Sequence, residues 1–356
     1  MQSDPLVFTT ALLKWHTSHL RPMPWKGEKN PYKIWLSETI LQQTRVAQGL
    51  PYYQKFLSRF PDIFSLADAS DDEVMKQWEG LGYYSRARNL HHAAKILVQR
   101  YEGQLPDSYD ELIKLPGIGP YTAAAIASFA FGKPTAVLDG NVHRILSRYF
   151  AIAKRADNIQ DKRTFTSLAN NIIDPSRPGA FNQAIMDFGA DICLASSPKC
   201  SLCPLTNTCA AFTQNMIEEL PPPRQKIKKK DRFFHYFILI NQVYTYITKR
   251  SKRDIWKNLW EFPMIETNSL MQFKELRKKS LSIQILNSQE YALKDQSQIF
   301  KQQLTHQRIN AVFFIVAVPK VSNIEWKKVN REAMANFAFP RIIHSFLNKK
   351  TLDLFI

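Results

Sequence analysis

Two carboxylates and four thiols are the side chains of this sequence best suited to chemistry. Glu38 stands four residues after Ile34 and three before Leu41, on a stretch that also carries Trp35, Leu36 and Ile40. A carboxyl among so many apolar neighbours is pushed toward its protonated form, which a general acid requires. Asp139 ends the apolar run Val137-Leu138 and precedes Gly140-Asn141-Val142. In isolation it reads as a turn or helix N-cap residue. Cys193, Cys200, Cys203 and Cys209 are the only cysteines and are spaced C-x6-C-x2-C-x5-C. Four thiolates this close can enclose one soft metal centre. Zinc ribbons usually pair two C-x2-C knuckles, and only Cys200 and Cys203 form one. An iron–sulfur cubane accepts uneven spacing and takes four thiolates, so the spacing favours a structural cluster and leaves zinc as the alternative.

The elements that must position these groups are helical at first. Asn30-Pro31 supplies an N-cap and a proline at N1, and predicts a helix through Thr44. Leu90, Ala94, Leu97 and Tyr101 make an amphipathic stripe, and Ser108 with Glu111 reads as a capping box. In Leu115-Pro116-Gly117-Ile118-Gly119-Pro120, Gly117 and Gly119 permit positive φ and close backbone approach in a turn between two helices. Free N–H groups there and at the next helix start can hold a phosphate oxygen, although such a turn also serves to join helices and nothing more. The character changes at Leu220-Pro221-Pro222-Pro223, followed by Lys226 and Lys228-Lys229-Lys230. Beyond it, residues 233–240 and 242–248 read as a hairpin and 311–318 as a buried strand. The expected organisation is an all-α domain over residues 1–216, a basic linker over 217–231, and an α+β domain over 232–350.

The chain of 356 residues is 45% hydrophobic, enough for packed cores and too much for a disordered chain. Its net charge of +17 points to a polyanionic partner. The excess is uneven: residues 225–356 hold 24 Lys/Arg against 10 Asp/Glu, and residues 1–224 hold 24 against 21. No apolar run approaches the roughly 18 residues of a spanning helix, so no membrane partner is expected. The start, Met1-Gln2-Ser3-Asp4-Pro5, lacks the basic n-region of a secretory signal and suggests a cytoplasmic protein.

Taken in order, a helix–hairpin–helix, an aspartate in a Gly-containing loop and a four-cysteine motif resemble the DNA glycosylase superfamily that includes endonuclease III. Trp35-Leu36-Ser37-Glu38, Leu41-Gln42-Gln43-Thr44, Gly80-Leu81-Gly82-Tyr83-Tyr84 and Arg86-Ala87-Arg88-Asn89-Leu90 are similar to MutY-type adenine DNA glycosylases, and Leu259-Trp260-Glu261-Phe262-Pro263 to their terminal MutT-like domain. The resemblance implies a multidomain protein: an all-α helix–hairpin–helix glycosylase domain with one 4Fe-4S cluster on the four cysteines, followed by an α+β Nudix-like domain. It implies excision of adenine mispaired with 8-oxoguanine or guanine in double-stranded DNA by a monomeric, nucleoid-associated bacterial enzyme. Glu38 would protonate the base, Asp139 stabilise the sugar cation, Tyr121 orient the two carboxyls, and Asn141 help deliver water. Tyr121 stands where bifunctional members carry a Schiff-base lysine, which argues for monofunctional action. Gln43 and Tyr83 match residues that enter the duplex, and Gly117 and Gly119 the backbone-holding hairpin. Arg21, Trp25 and Gln183 match the adenine pocket, with Lys26 given no role there. Thr305 and His306 match the loop that reads 8-oxoguanine. Glu275 is alone where Nudix hydrolases gather several glutamates, so metal-dependent hydrolysis is not expected. The competing readings are an endonuclease III-like glycosylase/lyase and a non-catalytic protein that recognises damaged DNA.

Overall fold

The computed structural model describes residues 4–20, 22–223, 228–277, 285–286, 291–319, 321, 325–330 and 332–350, the side chain of Lys350 excepted. Arg21, Lys226 and the end of the stretch around Glu275 therefore lie outside the described residues. The chain forms two compact units, one from residues 1–68 and 89–226, the other from residues 69–88 and 227–356.

The first unit is helical. Asp4 caps α1 (Pro5–Ser18), and Asn30 caps α2 (Pro31–Leu41) by accepting from the backbone N–H groups of Tyr32 and Lys33. α2 stops three residues before Thr44, the expected end, because Gln43 adopts a left-handed φ of 55°. α3 (Val46–Arg59) and α4 (Ile63–Asp68) follow; α5 (Asp71–Gln77) belongs to the second unit. Leu90, Ala94 and Leu97 of α6 (Ser85–Tyr101) are buried, as their spacing requires. Ser108 precedes α7 (Tyr109–Leu112) but makes no side-chain cap; Glu111 turns instead to Lys114 and the Tyr101 hydroxyl, so the expected capping box does not form. α8 (Pro120–Phe129), α9 (Gly140–Tyr149), α10 (Ile159–Ile172), α11 (Pro178–Asp191) and α12 (Ala210–Thr213) complete the unit. Ala123, Ala124 and Ala125 are buried on α8, which packs against both α2 and α11. Small side chains there let three helix backbones come close, and that proximity brings Glu38 and Tyr121 together.

The second unit is α+β. Its strands are β1 (Lys230–Ile240), β2 (Tyr244–Lys249), β3 (Trp260–Glu261), β4 (Met264–Thr267), β5 (Ala292–Gln296), β6 (Phe300–Gln303), β7 (Gln307–Ala317) and β8 (Lys327–Asn330), with helices α13 (Phe273–Arg277) and α14 (Arg341–Lys350). One sheet runs β4-β1-β7-β5 with β6 also on β7, and a second runs β3-β2-β8. β1 and β7 are parallel from Lys230 beside Gln307 to Ile240 beside Ala317. The expected hairpin of β1 and β2 is reduced to one bridge, Asn241 with Tyr244. Both edges of β1 are taken by β4 and β7, so β2 builds the other sheet. Phe234 through Leu239 are all buried, the mark of a strand covered on both faces. Residues 69–88, placed with the first domain by the sequence reading, are tied here by polar contacts: Glu79 accepts from Phe339 N at 2.7 Å, and Trp260 Nε1 donates to Asp72 at 3.1 Å.

Of the two hairpin glycines only Gly117 depends on its missing side chain. Its φ is +79°, and an added Cβ would lie 2.6 Å from Asn89 Cβ; Gly119 caps α8 at φ −89° with open space around it. Gly117→Ala should therefore lose about 1–3 kcal/mol, whereas Gly119→Ser, an accepted N-cap residue, should leave the melting temperature close to wild type. Thermal unfolding of the two variants checks this, and equal shifts would contradict the hairpin geometry.

Candidate active site and cysteine pocket

Glu38 projects from α2 into an open cavity of about 1010 Å³, whose walls include His16, Trp25, Lys26, Ser37 and Gln183. Burial raises the Glu38 carboxyl to about 7, a hydrogen bond from the Tyr121 hydroxyl opposes that rise, and the charge of Asp139 adds to it. Tyr121 on α8 also points its hydroxyl at Met186 Sδ, 3.1 Å away. Burial lifts this phenol well above its ordinary range, so it serves as a neutral donor at physiological pH.

Asp139 takes the N-cap place that its sequence position offers. It is the N-cap of α9, accepting from Val142 N at 2.7 Å, and it lies close enough to Glu38 for the two charges to interact. Burial raises its carboxyl too, but the N–H groups of Val142 and Asn141 and the Arg144 charge favour the ionised form. The two acids thus have different surroundings: apolar helix faces around one, a helix N-terminus and a guanidinium around the other. Asn141 accepts from Arg144 Nη2 at 3.0 Å through its Oδ1, which turns its amide donors away from Arg144.

Arg144 and Arg148 are functional side chains that the sequence reading passed over. Arg144 donates from Nε to Cys193 O at 2.8 Å and from Nη2 to Gly189 O at 2.8 Å. Arg148 is 3% exposed and donates to the carbonyls of Leu220, Leu194 and Ala195, with Nη1 also 3.6 Å from Cys193 Sγ. Two arginines four residues apart on a helix otherwise lined by Val142, Ile145, Leu146 and Tyr149 were the available signal. Cys193, Cys200, Cys203 and Cys209 are unbridged and together line one small pocket of about 30 Å³. Burial raises the thiols of Cys200, Cys203 (to about 11) and Cys209, so as thiolates they call for a cationic centre. Among the described residues no group of three or more His, Cys, Asp or Glu side chains is arranged to hold a metal ion.

The remaining candidates fall in three places. Trp25 and Gln183 line the cavity, and so does Lys26, which the sequence reading left without a part; Arg21 lies outside the described residues. Gln43 is exposed in a left-handed turn after α2. In the second unit Tyr83 is 46% exposed at φ 45°, and its hydroxyl shares a 2.6 Å hydrogen bond with Thr305 Oγ1. Thr305 and His306 form the exposed tip of the β6–β7 turn, closed by Leu304 N donating to Gln307 O at 2.8 Å. The Glu275 carboxylate accepts from Gln272 N at 2.8 Å and caps its own helix start. No described helix is long and apolar enough to cross a membrane.

Comparison with known proteins agrees with this layout. Residues 36–171 match the family profile described as HhH-GPD superfamily base excision DNA repair protein, and residues 235–349 match a NUDIX domain. The chain is 40% identical over 318 residues to an adenine DNA glycosylase of Buchnera aphidicola subsp. Baizongia pistaciae, covering 87% of each. It is 38% identical over 280 residues to the protein of the same name from Buchnera aphidicola subsp. Schizaphis graminum, covering 78% of this chain and 80% of that one. Among solved structures, a thermostable thymine-DNA glycosylase aligns with a TM-score of 0.56 at 29% identity, covering 59% of this chain and 97% of that one.

The raised Glu38 carboxyl has a signature in stability. An unfolded glutamate ionises near 4.5 and the folded one near 7. Below pH 4.5 both states are protonated and nothing is lost; between 4.5 and 7 the unfolded state ionises first, and the contribution to stability drains away as pH rises. Glu38→Gln should therefore gain on wild type in melting temperature from pH 5 to pH 8 and hold its lead above that. A constant difference across the range would show that Glu38 titrates as an ordinary glutamate.

Proposed function

The chain belongs to the adenine DNA glycosylase family, N-glycosylases of base excision repair that act on DNA, and from that premise we propose that it removes adenine paired with 8-oxoguanine or guanine, without strand cleavage. The observation that carries this reading is the unlike pair of acids, Glu38 held near pH 7 in the wall of an open cavity and Asp139 at the start of α9, close enough for the two charges to interact.

The chemistry follows from the pair. Duplex adenine must first leave the stack, which costs a few kcal/mol. Protonated Glu38 gives its proton to N7 of the adenine, the C1′–N9 bond breaks with its electrons passing to the base, and neutral adenine departs. The positive charge left on the sugar is stabilised by the Asp139 carboxylate. Glu38, now ionised, takes a proton from the attacking water, directly or through Asn141, and returns to its starting form. Tyr121 donates to Glu38 and holds it in line. Trp25 and Gln183 form the wall of the base pocket, and Arg21 belongs with them by its match to the family. No lysine stands in the first turn of α8, where Pro120-Tyr121-Thr122 begins the helix, so no amine is placed for a Schiff base.

The remaining parts serve binding. Gly117, Gly119 and the start of α8 suit a phosphate, and Gln43 suits insertion into the duplex. The Tyr83–Thr305 hydrogen bond favours a reading head for the base opposite adenine, with His306 beside it. The cysteine pocket suits a 4Fe-4S cluster, because four thiols line a shared space and their spacing lacks the paired C-x2-C knuckles of a zinc ribbon. Such a cluster would supply structural cross-linking of residues 193–209. A monomer acting on nucleoid DNA in the bacterial cytoplasm fits this reading.

Duplexes carrying adenine opposite 8-oxoguanine and adenine opposite thymine provide the test. Free adenine should come from the former, with breaks only after alkali and no borohydride-trapped adduct. Its rate should fall as pH rises through about 7, where Glu38 loses its proton, and Glu38→Gln should abolish it. Purified protein should carry four irons and a broad visible absorbance; zinc in their place would overturn the cluster. Thr305→Val should reduce the preference for 8-oxoguanine over guanine about tenfold, the worth of one hydrogen bond. An unchanged preference would remove Thr305 from the reading head.

A further inference from the structure

Gln183 faces the cavity from α11, and one helical turn on, Asp187 is 6% exposed. Lys26 Nζ donates to Asp187 Oδ2 at 2.6 Å, and His16 Nε2 lies 3.3 Å from the same oxygen. Both donors are themselves largely covered, with 15% and 13% of their side chains exposed. Gln183 precedes Asp187 by four residues on α11, the spacing at which side chains on one helix face meet. Burial would raise Asp187, but the hydrogen bonds from His16 and Lys26 and the charge of Lys26 outweigh it, so the group stays ionised.

An ionised carboxylate only accepts hydrogen bonds, so the Gln183 amide must offer it an N–H. Lys26 and His16 occupy Oδ2, and the lone pairs of Oδ1 remain for that N–H. Turning the amide over would set its carbonyl against a buried negative charge, a conflict that a low-dielectric site makes severe. One end of Gln183 is thereby fixed, and the carbonyl Oε1 is the end left for the cavity.

We propose that Asp187, held by Lys26 and His16, is a positioning residue that locks the Gln183 amide with its carbonyl toward the bound base, so that the pocket selects a 6-aminopurine over a 6-oxopurine. An exocyclic amine at C6 donates to that carbonyl. A C6 oxygen in the same place meets it lone pair to lone pair, and the pocket's acceptor is then left unpaired. Sites built around a substrate N–H reject analogues lacking it far more strongly than sites that only fit shape. Lys26, which lines the same cavity but lies outside the recognised pattern of pocket residues, thus acts on specificity through Asp187 and Gln183.

The inference rests on adenine excision as the reaction, and the test separates the two. Single-turnover release is measured from matched duplexes containing adenine or hypoxanthine opposite 8-oxoguanine. Wild type should release adenine and strongly disfavour hypoxanthine; failure to release adenine at all would sink the reaction assignment and this inference with it. Asp187→Asn keeps the shape but can donate as well as accept, which frees the amide to turn. The adenine-to-hypoxanthine ratio should fall about tenfold or more. Lys26→Met should shift the ratio the same way and carries the test where Asp187→Asn does not accumulate, while Lys26→Arg, which keeps a donor to the carboxylate, should restore it. A merely structural role predicts that both rates drop together, and a ratio unchanged in Asp187→Asn or Lys26→Met overturns the lock.

Discussion

The constraint on which the rest of the first unit depends is the burial of two carboxyls close enough to interact, each in surroundings of a different kind. Water would give both groups nearly the same affinity for a proton. The protein separates them by surroundings. Glu38 sits on a helix whose neighbours Trp35, Leu36 and Ile40 are almost fully buried, and among the described residues its desolvation is opposed by the hydrogen bond from Tyr121. Asp139 receives backbone N–H groups at a helix start and the field of Arg144. The price of this arrangement is a buried acid, and it is tolerable only because the surrounding helices pack tightly enough to fix both groups. The buried alanines of α8 are part of that packing.

α9 then joins the acid to the cysteine pocket. Asp139 caps it, Asn141 lies in its first turn, and Arg144 and Arg148 follow on the side that meets residues 189–195. Each guanidinium has donors in a fixed fork, and here they are spent on backbone carbonyls, which cannot rearrange as side chains do. The loop entering the cysteine motif is therefore held in register with the catalytic end of the helix. Gly189 belongs to the same arrangement, since an added Cβ would lie 2.7 Å from Asn141 Cβ.

Much of this was legible in the sequence, and the reasons divide cleanly. Local signals worked: Asn30-Pro31 starts α2, Asp139 caps α9, and the stripe of Leu90, Ala94 and Leu97 is buried. Signals that depend on partners far along the chain did not. Ser108 and Glu111 have the capping-box spacing, yet Tyr101 and Lys114 take the glutamate. The strands at 230–240 and 244–249 look like a hairpin because they are adjacent, but β1 finds a parallel neighbour in β7 nearly 80 residues away. The Lys26–Asp187 pair spans 161 residues and was invisible for the same reason. The acids and thiols could be read from type and spacing; the cations that tune them could not, because arginine and lysine are usually solvated and nothing local marks the exceptions.

Positive φ at residues other than glycine recurs at exposed turns of this chain, Gln43 and Tyr83 among them. Gln43 and Tyr83 both have positive φ without being glycine or asparagine, and both are exposed. Left-handed backbone costs an ordinary residue roughly 1–2 kcal/mol, and glycine at either position would relieve it. A core side chain can offset such strain with its own burial, but these two gain little that way. Gln43 ends α2 only five residues after Glu38, so the turn that it strains aims an extended polar side chain out of the same helix that holds the acid. Tyr83 uses its turn to bring a hydroxyl to Thr305 at the tip of a strand connection. Glu102, Ser197 and Gln242 adopt the same backbone at exposed turns, so positive φ alone does not single out a residue here; what sets Tyr83 apart is the hydrogen bond that its turn makes possible with Thr305.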